Sequence, residues 1–309
     1  MEPGADVEPS RHYVTSDGAV ESTILTVLAR HLRKARKETK IRKMVQQEME
    51  DDQLWCDCDM DLHGAVLSEA VDLSRATFAG KVNFHDTIFT DFVDFKNSFF
   101  ATKAYFWRTS FFGDSDFRYA DFSDLTDFED AVFAKNVNFN GANFRKNMVF
   151  PGATAAGWVS FDEAIVTNVS FECAHFKGRT SFESTVFGGD LDFKDTVFEG
   201  STSFRGAHFF GDIHFRNIFF ESASFQGTFF GGGAYFEDVT CTKKIYFVKT
   251  FFFGGIYFQG SSFLDGICFK KTLFEVSHSE CVFPSEICLD ESTGLPSGAQ
   301  WVDSKYETR

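Results

Sequence analysis

A phenylalanine stands at every eleventh position along two interleaved ladders between Leu62 and Phe274. The first runs through Phe84, Phe95, Phe106, Phe117, Phe128, Phe139, Phe150 and Phe161, then from Phe171 to Phe215 and from Phe225 to Phe269, and all eighteen of its positions are Phe. The second lies five residues further on, from Phe78 and Phe89 to Phe274, and sixteen of its nineteen positions are Phe; Ala155, Val166 and Cys241 are the exceptions. Two residues before nearly every anchor stands a small or β-branched residue, as at Val82, Val93, Ala104 and Thr196. Two residues after it Gly, Asp or Asn is common, as at Asp86, Asn97, Gly113 and Gly200. Side chains alternate along a strand, so each unit reads as a short strand with both ends pointing inward, followed by a corner. Gly, Asn and Asp accept the positive φ that such a corner is expected to need.

The anchors are separated by steps that alternate between five and six positions, which predicts a four-sided coil closing after four steps; a two-sided coil closing after two satisfies the spacing equally well. Two steps break the rhythm. Val166 to Phe171 and Phe220 to Phe225 are five where six is expected, which predicts bends or tightened corners there. About ten coils at the inter-strand spacing of ~4.8 Å would make a rod roughly 45 to 50 Å long.

Four segments follow from this pattern. Residues 1–21 are polar and read as a disordered leader. Residues 22–61 read as a basic amphipathic helix and an acidic cap. Ile24, Leu25, Leu28, Leu32, Val45 and Met49 recur near helical spacing over 22–50, with Ser22 or Thr23 as the N-cap. Between Arg30 and Lys43 stand eight Lys or Arg against one Glu, followed by the acidic run Glu48, Glu50, Asp51, Asp52, Asp57, Asp59 and Asp61. The expected role is a helix packed on or tethering the main domain, with the acids neutralising the bases in cis and Trp55 and Met60 plugging the first coil. A membrane-surface or calmodulin-type role is the alternative. Residues 62–275 form the repeat, and 276–309 a C-terminal cap and tail.

Stretches such as AVLSEAVDLSRATF (65–78) and TSFESTVFGGDLDFKDTVFEG (180–200) resemble the pentapeptide-repeat proteins, in the Phe-rich variant that alternates five- and six-residue steps. The resemblance implies an all-β fold, a right-handed quadrilateral β-helix or β-solenoid, and so favours the four-step coil over the two-step one. It also implies mostly non-enzymatic roles; some members mimic DNA and bind DNA gyrase, a topoisomerase.

Charge narrows the partners. A formal net charge of −15 and a pI near 4.9 argue against direct binding to nucleic acid or an anionic membrane, both of which need clustered Lys and Arg. No signal peptide or transmembrane segment is visible, and the seven irregularly spaced cysteines read as free thiols, so the expected location is cytoplasmic. Sorted onto four sides, the one anchored at Phe84, Phe106 and Phe128 exposes Asp86, Asp127, Glu129, Asp130, Glu172, Asp192, Asp195, Glu237 and Asp238 against only Arg108, Lys194 and Arg216. This acidic side is the expected protein-binding surface, for a DNA-binding protein in the sharper reading. The side bearing Asp72, Asp94 and Asp116 is a poorer candidate, because Arg75, Lys96 and Arg118 sit beside those acids. The side anchored at Phe187, Phe209, Phe230 and Phe252 exposes Phe210, Phe229, Phe251 and Phe253 without charge, with Tyr235 and Tyr257 round the corner. It is the expected self-association surface of a homodimer or scaffold. No catalytic motif, cofactor motif or standard metal spacing is present: Cys56 and Cys58 with His63, and His278 with Cys281 and Cys288, all fall outside zinc spacing.

Overall fold

A computed structural model describes residues 18–33, 55–275 and 281–302. Short parallel strands stack into a β-solenoid of about ten turns, organised as a 20-stranded and an 18-stranded sheet that each wrap two adjacent sides. The register settles the coil length. Val82 pairs with Ala104, and Ala104 with Thr126, each partner four steps further along the chain. The two-step coil is thereby excluded.

The two short steps become two turns that are each one residue shorter than the rest. Thr154 pairs with His175, Val159 with Thr180 and Ile165 with Val186; later, His208 pairs with Phe229 and Ile213 with Ala234. The residue is lost where expected, as a register shift between Phe144 and Asn147 against Val166 and Asn168, and again between Phe198 and Ser201 against Phe220 and Ser222. At these corners the strands Asn143–Val149, Ile165–Ser170, Val197–Ser203 and Phe219–Ser224 run through without a break. The full-length turn then resumes, with Ala223 opposite Ile245.

Apart from the half-buried Phe263, both ladders are buried as columns of stacked rings. Along Phe95, Phe117, Phe139 and Phe161 successive centroids lie 4.9, 4.9 and 4.7 Å apart, nearly parallel. Such pairs add ~0.5–1.5 kcal/mol each beyond burial. Where the second ladder has Ala155, the ring of Phe150 leans across from the first. It lies parallel to Phe133 at 5.9 Å and nearly parallel to Phe176 at 6.1 Å, filling the gap in their column. Cys241, between Phe220 and Phe263 in its column, is buried, and burial pushes its thiol up to about 11. The buried hydroxyls three residues after first-ladder anchors donate to the carbonyl of the corresponding anchor one coil back, as Thr109 to Phe84 (2.7 Å) and Thr196 to Phe171 (2.8 Å). They are satisfied donors of the scaffold.

The corners are of two kinds, which corrects the single reading of Gly, Asn and Asp. Positive φ occurs two residues after each first-ladder anchor, at Asp86, Asn97, Arg108, Tyr119, Asp130 and onward to Lys271. Two residues after the second-ladder anchors it is absent among the described residues, and Gly serves close approach instead. A Cβ on Gly178 would stand 2.2 Å from the carbonyl oxygen of Gly157 in the neighbouring coil.

The helix spans Gly18–Leu32, starting four residues before the expected Ser22 and so taking in residues 18–21 of the expected leader. Leu25, Ala29 and Leu32 are buried in the core and Leu28 packs against it, so this face covers the open end of the first coil. Ile24 is 60% exposed, off the face where it was expected. Trp55 stacks on His31 outside instead of plugging the coil, and Met60 is half-buried in a strand paired to Val82. Arg33, one of the basic run, fastens the helix: its guanidinium lies 2.6 Å from Asp72 Oδ2 and donates to the Ser74 carbonyl. Lys34 to Lys43, Val45, Met49 and the acids from Glu48 to Asp52 lie outside the described residues. At the other end Ala299–Trp301 extends the stack beside Thr272–Phe274, with Phe283 and Leu295 closing the core. The seven cysteines are all free thiols, and among the described residues no helix is long and apolar enough to cross a membrane.

Candidate functional site

The nine acids of the expected binding side share one side of the rod, but they do three different things. Asp127 and Asp192 stand just before an anchor, and each accepts the backbone N–H two residues on, from Glu129 at 2.9 Å and from Lys194 at 2.8 Å. Asp61, Asp72, Asp94 and Asp116 repeat the same contact elsewhere. These carboxylates close corners.

Four more acids have a cation, three of them from a neighbouring coil and Asp195 from the residue before it. Arg108 Nε lies 3.1 Å from Asp86, Arg216 Nε 2.9 Å from Glu237, and Lys194 Nζ 2.5 Å from Glu172 and 3.6 Å from Asp195. Lys194 thereby engages both carboxylates of the Glu172, Cys173 and Asp195 group, whose ligand atoms would otherwise suit a metal ion. Its ammonium is held above the ordinary lysine value chiefly by Glu172.

What remains is concentrated on one coil. Asp127, Glu129 and Asp130 form no ion pair among the described residues. Burial pushes the Asp127 carboxyl above its usual range, although the Glu129 N–H and the more distant His85 pull the other way. Burial followed by repulsion from Asp127 and Asp130 raises Glu129 as well. Asp238 also forms no ion pair among the described residues. On either side of this cluster the same side of the rod carries aromatic ladders: His63, His85 and Trp107 towards the N-terminus, His214, Tyr235 and Tyr257 towards the C-terminus.

The cations on the side of Asp72, Asp94 and Asp116 are only partly matched to its acids. Asp116 pairs with Arg118 and Asp72 with Arg33, while Asp94 is held above its usual range by burial and then by the two stacked acids.

Residues 161–208 and 182–228 match the family described as pentapeptide repeats (9 copies). These are pentapeptide repeats. No curated protein matches the chain.

The aromatic side of the array is exposed at Phe210 (56%) and Phe253 (53%), whereas Phe229 and Phe251 are half-buried and stacked at 5.7 Å. His208 lies among them, 5.9 Å from Phe229. Tyr235 and Tyr257 stack on each other round the corner, at 4.9 Å. Exposed aromatics are not confined to this patch: Phe92, Phe112, Tyr119 and Trp158 stand out from other parts of the array.

Sequence reasoning missed one cluster. His63, His85 and Asp86 each present a ligand atom within 4.8 Å of the others. The signal was there, since His63 and His85 are one coil length apart in the same column, with Trp107 a coil further on.

Proposed function

We propose that the rod is a non-enzymatic protein-interaction module whose acidic side receives a basic surface of a partner protein. The observation that carries this reading is the unneutralised group Asp127, Glu129 and Asp130 in the middle of a side whose other acids mostly have cations or close corners. Three carboxylates held together without a counter-charge destabilise the free rod, and a basic partner would relieve that cost. The aromatic ladders on either side supply flat surface for stacking and for cation–π contact with Lys or Arg. In its sharper form the partner is a DNA-binding protein such as a topoisomerase, with the carboxylates standing in for duplex phosphates. The test is retention of such a partner on the rod across a salt series. Asp127→Asn, Glu129→Gln and Asp130→Asn together should abolish salt-sensitive retention, whereas unchanged retention would refute the reading.

The exposure of Phe210 and Phe253 favours a second role for the aromatic side, self-association of two rods. Phe210→Ser with Phe253→Ser should then convert a dimer to a monomer in light scattering with the melting curve retained. A monomeric wild type would eliminate this second role.

A further inference from the structure

We infer that the first two coils hold a divalent transition-metal ion on the acidic side, through the imidazoles of His63 and His85 and the carboxylate of Asp86. The three side chains bring their ligand atoms within 4.8 Å of one another from two adjacent coils. His85 is held in place from one side: its ring lies flat on Trp107, with centroids 4.1 Å apart and 12° between planes. Towards His63 the rings are tilted by 42° at 4.6 Å, so they do not continue that flat stack.

The decisive feature is the Nε2 of His85. It is buried and makes no hydrogen bond, although Asp86 Oδ2 lies only 3.0 Å away. A short contact between two ligand atoms that fails hydrogen-bond geometry is what a pair of ligands converging on a third atom would give. Bonds of ~2.0–2.2 Å to a four-coordinate ion set such ligand–ligand edges at ~3.3 Å. Arg108 engages the other carboxylate oxygen, Oδ1, at 3.1 Å, which orients Asp86 and leaves Oδ2 directed at His85. An outer partner that orients the carboxylate in this way is typical of metal-ligating carboxylates. Asp86 sits at a positive-φ corner (φ 54°), and this places its carboxylate beside the imidazole of the preceding residue. His63 is exposed, so the site is open to solvent and has room for water ligands. Two imidazoles and one carboxylate suit Zn²⁺ or a neighbouring ion such as Co²⁺, and suit Ca²⁺ or Mg²⁺ poorly.

The test uses the full chain, stripped with chelator and titrated with Zn²⁺ by calorimetry and with Co²⁺ by absorption. One equivalent should bind, and the Co²⁺ spectrum should lack thiolate charge-transfer bands, which separates this site from the free cysteines. His63→Gln, His85→Gln and Asp86→Asn should each weaken binding at least about tenfold. His175→Gln, which removes a histidine paired with Glu199 elsewhere on the rod, should leave binding unchanged. Zn²⁺ should raise the melting temperature of the wild type and not that of the His63→Gln/His85→Gln variant, whose metal-free melting shows that it folds. The absence of saturable uptake, uptake unchanged in the double variant, or a thiolate-type Co²⁺ spectrum would each overturn the assignment.

Discussion

Replacing Ala155 with Phe would restore the ring that the second ladder lacks, and the rod should become less stable. The space between Phe133 and Phe176 is already occupied by the ring of Phe150, parallel to the one at 5.9 Å and nearly parallel to the other at 6.1 Å. A second ring there overpacks a core whose neighbours are fixed by the sheets, at a cost of ~2 kcal/mol. For a domain of this size that lowers the melting midpoint by about 4–8 °C. Phe150→Ala empties the same space and costs ~4 kcal/mol. Independent sites would therefore lose about 6 kcal/mol together. In the double variant Phe150→Ala/Ala155→Phe the new ring takes the vacated place, and the loss should be only about 3 kcal/mol. Urea and thermal unfolding of the four proteins, followed by far-ultraviolet circular dichroism, measures the cycle. A neutral or stabilising Ala155→Phe, or additive losses in the double variant, would refute the reasoning.

Two glycines with similar places in the sequence should respond differently. Gly178→Ala drives a Cβ into the backbone of the adjacent coil, 2.2 Å from an oxygen that cannot turn away, and should cost ~3 kcal/mol. Gly227→Ala meets nothing closer than 4.0 Å and bears only its positive φ of 69°, a cost of about 1–2 kcal/mol; equal losses in denaturant unfolding would contradict the two-corner account. The acidic cluster makes a prediction about pH. Asp127 and Glu129 titrate above their ordinary range in the folded rod, so the folded state holds those protons more tightly than the unfolded chain. Their contribution to stability is then greatest at low pH and is lost as pH rises through the folded values. The Asp127→Asn/Glu129→Gln/Asp130→Asn variant should therefore melt above wild type at pH 7, with the gap closing on acidification through the carboxylate range. A variant that melts lower at pH 7 would contradict this.

The ladder spacing carried the fold because a buried Phe can be placed only where the backbone returns to the same inward point. The one-residue deficits after Val166 and Phe220 even located the two shortened turns. Coil length was not legible from spacing, since coils of two steps and of four put the same anchors inward; only strand register separates them. The site was less legible because charges were counted instead of partners. Once the coil is known to take four steps, adding one turn to Asp86 gives Arg108, adding one to Glu172 gives Lys194, and adding one to His63 gives His85. The corner-closing role of Asp127 and Asp192 also had a signal, in the Asp that stands before the anchor at Asp72, Asp94 and Asp116 as well. The departure of Phe150 from its column had none, because the choice of ring to fill the Ala155 gap is made by three-dimensional packing.

The most direct measurement compares immobilised wild-type rod with the Asp127→Asn/Glu129→Gln/Asp130→Asn rod in lysate of the source cells, each eluted with rising salt and, separately, with duplex DNA. The account predicts a protein held by the wild type, released by both eluents and absent from the variant. The same proteins held by both rods with the same salt profile would contradict it.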